Sequence, residues 1–143
     1  MKVLLDSVVL IDHLNGIAAA TSYLGEVRGE AAVSVITRAE VLCGLDAAAA
    51  ELARGLLERF VTLPIEREAA DLAANLRRGH RWRLRDAFQA ALAQLHGLKL
   101  ATRNTRAFPG TFRLRRGAVH GMNGGANGLG ESPEPRPKAE STT

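Results

Sequence analysis

Four short apolar runs, at residues 3–5, 31–35, 61–63 and 98–101, stand far apart along the chain, and helix-like spacing fills every interval between them. Runs this short, each closed by a polar residue or a turn signal, predict buried strands rather than helices. The intervals are too long for hairpins, so each strand returns through one or two helices. Such crossovers are right-handed and give a parallel sheet covered on both faces. The expected fold is therefore α/β, a three-layer α/β/α arrangement around a small, mostly parallel sheet of four to five strands. A fifth strand is expected at 112–114.

Helices are expected at 7–14, stopped by Asn15-Gly16, and at 17–27, 37–45, 47–60, 66–78 and 86–96. Ala69, Leu72, Ala73 and Leu76 recur at the i, i+3, i+4, i+7 spacing of an apolar helix face. Gly97 has the position of a helix C-terminal cap. Hydrophobic residues make up 46% of the chain and aromatics only 4%, which suits Ala/Leu/Val helices on a small sheet better than a β-sandwich. The 143 residues are enough for one core.

From Gly117 the composition changes. Six of the 14 glycines and three of the five prolines fall in 117–143, a segment too poor in apolar surface to order itself. One folded domain, 1–116, and a disordered Gly/Pro-rich tail, 117–143, are expected. The tail carries three acids against two bases, a net −1. The chain total of +4 therefore leaves +5 on residues 1–116, and a basic folded part suggests a polyanionic partner. The single Cys43 excludes an internal disulfide framework. No apolar run approaches the roughly 18 residues of a membrane span, and the first residues lack a charged-then-apolar leader pattern. A cytoplasmic protein with no membrane association is the expectation.

Three acids deserve placement on this framework. Asp6 directly follows the first strand, Glu40 lies in the first turn expected after the second, and Asp86 begins the helix that leads into the fourth. Ligands of open α/β sheets bind outside the carboxyl ends of the strands, which is where all three fall. Unpaired, the carboxylates would repel one another. A hard cation such as Mg²⁺ or Mn²⁺ removes that conflict, because it prefers carboxylate and water oxygens. Each acid also has a local use: Asp6 and Asp86 at helix starts, and Glu40 in the capping-box pattern Thr37-Arg38-Ala39-Glu40. Rival chemistries lack their residues. Four scattered His and one Cys give no zinc spacing, nothing places a base beside Cys43, and no strand precedes the glycines of the tail. His13, His96 and Cys43 read as structural.

The segments Leu4-Leu5-Asp6-Ser7-Val8-Val9-Leu10-Ile11-Asp12-His13-Leu14, Ser34-Val35-Ile36-Thr37-Arg38-Ala39-Glu40, Leu84-Arg85-Asp86-Ala87 and His96-Gly97-Leu98-Lys99-Leu100-Ala101-Thr102-Arg103-Asn104-Thr105-Arg106-Ala107-Phe108 occur in this order. The ordered set resembles the PIN-domain ribonucleases, specifically the VapC-type toxins of prokaryotic toxin–antitoxin pairs, over residues 2 to 114. The resemblance implies an endonuclease of single-stranded or loop RNA that uses Mg²⁺ or Mn²⁺. It places Asp6, Glu40 and Asp86 at the acidic metal positions and Asn104 where the family has Asp or Asn. It also implies a VapB-like antitoxin partner and a homodimer. The cation would activate water for in-line attack on phosphorus and stabilise charge on the phosphate.

Departures from the family pattern are Val8 for a polar residue, Arg85 for a frequent Pro, and Ala107 for a common Asp. Val8 and Ala107 favour one alternative, a PIN-like module that binds RNA or antitoxin without efficient cleavage; a structure-specific DNA nuclease is a second, since the same acidic site can hydrolyse either backbone. Asp12 is expected to be structural or at the edge of the site. Arg77, Arg78, His80, Arg81, Arg83 and Arg85 crowd the approach to Asp86 around Trp82, and Arg103, Arg106, Arg113, Arg115 and Arg116 follow. Phosphate neutralisation plus a stacking surface is what a single strand requires.

Overall fold

The computed structural model describes residues 1–103 and the backbone of residues 112–113. In chain order the described elements are β1 (Val3–Leu5), α1 (Ser7–Leu14), α2 (Ala18–Glu26), β2 (Ala31–Ser34), α3 (Val35–Cys43) and α4 (Ala47–Leu57), then β3 (Val61–Leu63), α5 (Arg67–Gly79), α6 (Leu84–Leu95), β4 (Lys99–Thr102) and β5 (Phe112–Arg113). The strands lie in the order β3-β2-β1-β4-β5, and every pairing is parallel. The α/β architecture expected from the interval pattern is the one observed.

β1 runs down the middle of the sheet, with Leu5 aligned to Val33 of β2 and to Ala101 of β4. Strands buried on both faces need no polar alternation, which is why they read as continuous apolar runs. Leu4 and Leu5 are both fully buried and point to opposite layers. Leu5 joins Val9, Leu10, Tyr23, Leu24, Val41 and Leu57 from α1–α4. Leu4 joins Leu63, Ala69, Leu92 and Leu100, with α5 and α6 forming that layer. Tyr23 carries its phenol into the first layer; burial, and secondarily the nearby Glu26, push its pKa up to about 12.

Local capping explains where the elements differ from expectation. The strand expected at 31–35 ends at Ser34, because the Ser34 hydroxyl accepts the Thr37 N–H at 3.0 Å and starts α3 at Val35. The expected opening at Thr37 is thus two residues late. Asp46 caps α4 in the same manner, accepting the Ala49 N–H at 2.8 Å. α6 begins at Leu84 rather than Asp86, which shortens the basic loop. Gly97 follows the α6 cap with φ +63°, a conformation that favours glycine. Of the expected fifth strand, Phe112–Arg113 is present and Leu114 lies outside the described residues, as do the 116/117 boundary and the tail 117–143. Among the described residues no helix is long and apolar enough to cross a membrane.

Candidate active site

The carboxyl rim of a parallel sheet collects helix starts, and the central strand delivers the first acid to it. Asp6 is the N-cap of α1; its Oδ1 accepts the Ser7 N–H at 2.8 Å. The parallel register sets Leu5 beside Ala101, so Thr102 ends level with Asp6, and its hydroxyl donates to Asp6 Oδ2 at 2.7 Å. Asp6 is consequently oriented through both carboxylate oxygens.

Glu40 comes from α3. Since that helix starts at Val35, Glu40 stands in its second turn, not its first. The capping-box reading is corrected by the same fact: the Thr37 N–H goes to Ser34, and the Glu40 carboxylate reaches across to Arg85 instead. Asp86 is in the first turn of α6, buried at 6% exposure, where a carboxylate is favoured by the helix dipole.

The three acids are gathered on a single guanidinium. Arg85 Nη2 donates to Asp6 Oδ1 at 2.5 Å and to Glu40 Oε2 at 2.6 Å, Nη1 donates to Asp86 Oδ1 at 2.9 Å, and Nε donates to Glu40 Oε1. Nη2 also lies 3.1 Å from the Ser7 hydroxyl. The hydrogen bond to Glu40, with the negative field of Asp6, raises the Arg85 pKa above its already high ordinary value despite partial burial. The arginine is ionised at every accessible pH.

Beneath the rim lies a buried polar knot. The Thr37 hydroxyl donates to the Leu5 carbonyl at 3.1 Å and accepts from Gln89 Nε2 at 2.7 Å, with Ser34 Oγ 3.3 Å away. It ties the end of β1 to α3 and α6, the elements that carry Asp6, Glu40 and Asp86. Gln89 Oε1, buried, has no partner among the described residues.

The donor chemistry of Asp6, Glu40 and Asp86 suits a hard divalent cation, since all three offer only carboxylate oxygens. As they stand, no group of three or more His, Cys, Asp or Glu among the described residues is arranged to hold one. The Arg85 guanidinium fills the space on which they converge.

Asn104, the expected fourth member, lies outside the described residues, as do Arg106, Ala107, Arg115 and Arg116. Asp12 sits apart from the acidic group and pairs with Arg103 at 3.0 Å, an edge role. Val8 is half-buried against the first core layer. His13 Nδ1 and the Thr21 hydroxyl are 2.7 Å apart, joining α1 to α2. Of the basic loop, Arg77, Arg78, Arg81 and Arg83 are exposed. A cleft of about 510 Å³ is lined by Arg77, Arg78, His80, Arg81 and Trp82. Trp82 is half-buried against α5 and α6 and stacks on His80 with ring centroids 4.2 Å apart.

Two contributors escaped sequence reading. Thr102 was discoverable, because it closes the fourth strand at the rim position that Asp6 has beside the first. Arg85 stands out in the sequence as a departure from a frequent Pro before Asp86, but nothing there shows that it turns inward to the acids while Arg83 stays exposed.

Comparison with known proteins accords with this geometry. The PIN domain family model matches residues 3–111. A Mycobacterium tuberculosis protein named ribonuclease VapC10 is 40% identical over 114 residues, covering 75% of this chain and 86% of the relative. Among solved structures, a toxin–antitoxin complex from Klebsiella pneumoniae superposes with a TM-score of 0.72 at 34% identity, covering 76% of this chain and 92% of the other. FitAcB from Neisseria gonorrhoeae gives 0.64 at 26% identity, covering 75% and 91%. With the matched segment spanning every described helix and the first four strands, the chain belongs to the PIN-domain family.

Proposed function

We propose that this protein is a divalent-metal-dependent endoribonuclease and the toxin component of a toxin–antitoxin pair. Asp6, Glu40 and Asp86 serve as its catalytic and metal-binding carboxylates, and Asn104 as a neutral fourth member. The observation that carries the reading is the convergence of three carboxylates, from segments far apart in sequence, on one cation at the carboxyl rim of the sheet. Similarity to a relative named a ribonuclease, and to a solved toxin–antitoxin complex, supports the same assignment.

Asp6, Glu40 and Asp86 would hold a Mg²⁺ or Mn²⁺ ion, which would supply Lewis-acid activation of water and neutralise charge developing on the phosphate. The chain's own groups do the positioning. Thr102 and the Ser7 N–H fix the Asp6 carboxylate, and the Thr37–Gln89 knot holds α3 and α6 at a constant separation. The exposed arginines of the 77–83 segment neutralise the backbone of a single-stranded or loop RNA, and the stacked His80–Trp82 pair offers an aromatic platform beside them. The same basic cleft suits an acidic segment of a VapB-like antitoxin. Ile11, Leu14 and Ile17, exposed at the end of α1 and before α2, are apolar surface for a homodimer to cover. Residues 1–116 form the nuclease domain of a cytoplasmic protein and 117–143 an appended tail.

The test is cleavage of end-labelled single-stranded RNA and DNA with Mg²⁺, Mn²⁺ or EDTA, comparing wild type with Asp6→Ala. RNA cleavage that needs the metal and disappears in the variant is expected. Cleavage in EDTA, or cleavage unchanged by the substitution, overturns the assignment. A binding module without efficient turnover is the second reading. It is favoured by the guanidinium that fills the acidic set and by Val8, and RNA binding without cleavage would select it. Cleavage of structured DNA alone would select the DNA-nuclease reading.

A further inference from the structure

We infer that Arg85 is an internal counter-cation that occupies the divalent-ion position and must swing out before the ion enters. The inference rests on Asp6, Glu40 and Asp86 being the metal-binding carboxylates. Its support is the pattern of contacts around one side chain. Four hydrogen bonds from the three guanidinium nitrogens reach all three carboxylates, and no other cation among the described residues pairs with any of them.

Charge explains why the arrangement forms. Three buried or half-buried carboxylates carry −3 without a counter-ion, and the guanidinium reduces this to −2. A divalent ion in its place reduces it to −1. The two cations compete for the same carboxylates, and which of them is bound depends on the activity of the divalent ion. The guanidinium nitrogens contact both Glu40 oxygens, Asp6 Oδ1 and Asp86 Oδ1, so they compete with a metal for these carboxylates.

The exchange is mechanically simple. Arg85 stands in the first turn of α6, next to Asp86, so withdrawal moves only its own side chain. That side chain is 32% exposed, which leaves its unbranched stem an open path to solvent. The Asp6 carboxylate keeps two contacts independent of Arg85, from the Thr102 hydroxyl and the Ser7 N–H, and α3 and α6 keep the backbones of Glu40 and Asp86 at the rim. Metal affinity is then reduced by the fraction of molecules with Arg85 out; an open fraction of about one in ten weakens it about tenfold.

The experiment is Mn²⁺ titration of the full chain by calorimetry, and by loss of the free-ion electron paramagnetic resonance signal. Wild type is compared with Arg85→Ala, Arg85→Met, Asp86→Asn and the Arg85→Met/Asp86→Asn pair. Arg85→Met keeps the length of the stem if the alanine variant fails to fold. At least about tenfold tighter Mn²⁺ binding is expected in Arg85→Met. Melting temperature should also rise more on Mn²⁺ addition than in wild type, because the ion then supplies charge that arginine no longer does. Unchanged or weaker Mn²⁺ binding in Arg85→Met and Arg85→Ala, with binding lost in Asp86→Asn, overturns the proposal and leaves the metal site intact. Binding that survives Asp86→Asn overturns the site assignment and the proposal with it.

Discussion

Replacing Thr37 by Val tests whether the polar knot under the rim holds the site together. The side chains have nearly the same shape, so the change removes a hydroxyl and little else. The Leu5 carbonyl loses a donor at 3.1 Å and the Gln89 amide loses its acceptor at 2.7 Å, both fully inside the protein. A buried polar group left without a partner costs about 1–3 kcal/mol. Rotating the Gln89 amide gives no repair, because its Oε1 already has no partner. Two such losses, discounted for the second lone pair of the carbonyl, amount to about 2–4 kcal/mol. Urea unfolding followed by Trp82, the single tryptophan and half-buried between α5 and α6, reads this directly. With a slope of about 1–3 kcal/mol per molar, a loss of about 3 kcal/mol lowers the midpoint by roughly 1–3 M. Gln89→Leu should be milder, since it also removes the orphan oxygen, and the double variant should be less destabilised than the sum of the two. A Thr37→Val protein within about 0.5 kcal/mol of wild type, or strict additivity with Gln89→Leu, would refute the coupling argument.

Tyr23 is the only tyrosine, so ultraviolet titration of the phenol should show a midpoint near 12 in the folded protein against 10.0 for the ordinary group. In that window the unfolded chain loses the proton first, so stability falls as pH rises from 10 towards 12. Tyr23→Phe should flatten the slope of stability against pH there. Asp46→Ala removes the cap of α4 and should lower stability by about 1 kcal/mol in urea, with Asp46→Asn recovering most of it. Deleting residues 119–143 should leave the melting temperature and Mn²⁺ binding unchanged; a large drop in either would show that the tail contributes to the folded domain.

β1 and β2 were legible because burial on both faces writes an unbroken apolar run, and β3 and β4 from short apolar-rich runs set between helices. The long intervals between runs then left a parallel sheet as the consistent topology. Helix bodies were legible from their period, but starts depended on single side chains. Ser34 could equally end a strand or cap a helix, and only the three-dimensional contact to the Thr37 N–H decides. Asp6, Glu40 and Asp86 were legible as a rim because each sits by a strand end or a helix start, and the rim gathers both. What the acids bind in this structure was not legible. Arg85 is chemically identical to its neighbours in the basic segment. It turns inward because α6 begins at Leu84, which sets its side chain over the rim while Arg83 remains outside. The Thr37–Gln89 contact spans 52 residues and leaves no periodic trace.

Thr102 holding Asp6 has a consequence for the newly synthesised chain. The two residues are 96 positions apart, and they meet because β4, made late, pairs directly with β1, made first. At about 5–20 residues per second, a ribosome needs roughly 5–20 s to pass from one to the other. Throughout that interval Asp6 has been made and its partner has not. The hydroxyl that orients Asp6 Oδ2 therefore arrives only with β4, so the acidic rim is completed late, together with the centre of the sheet.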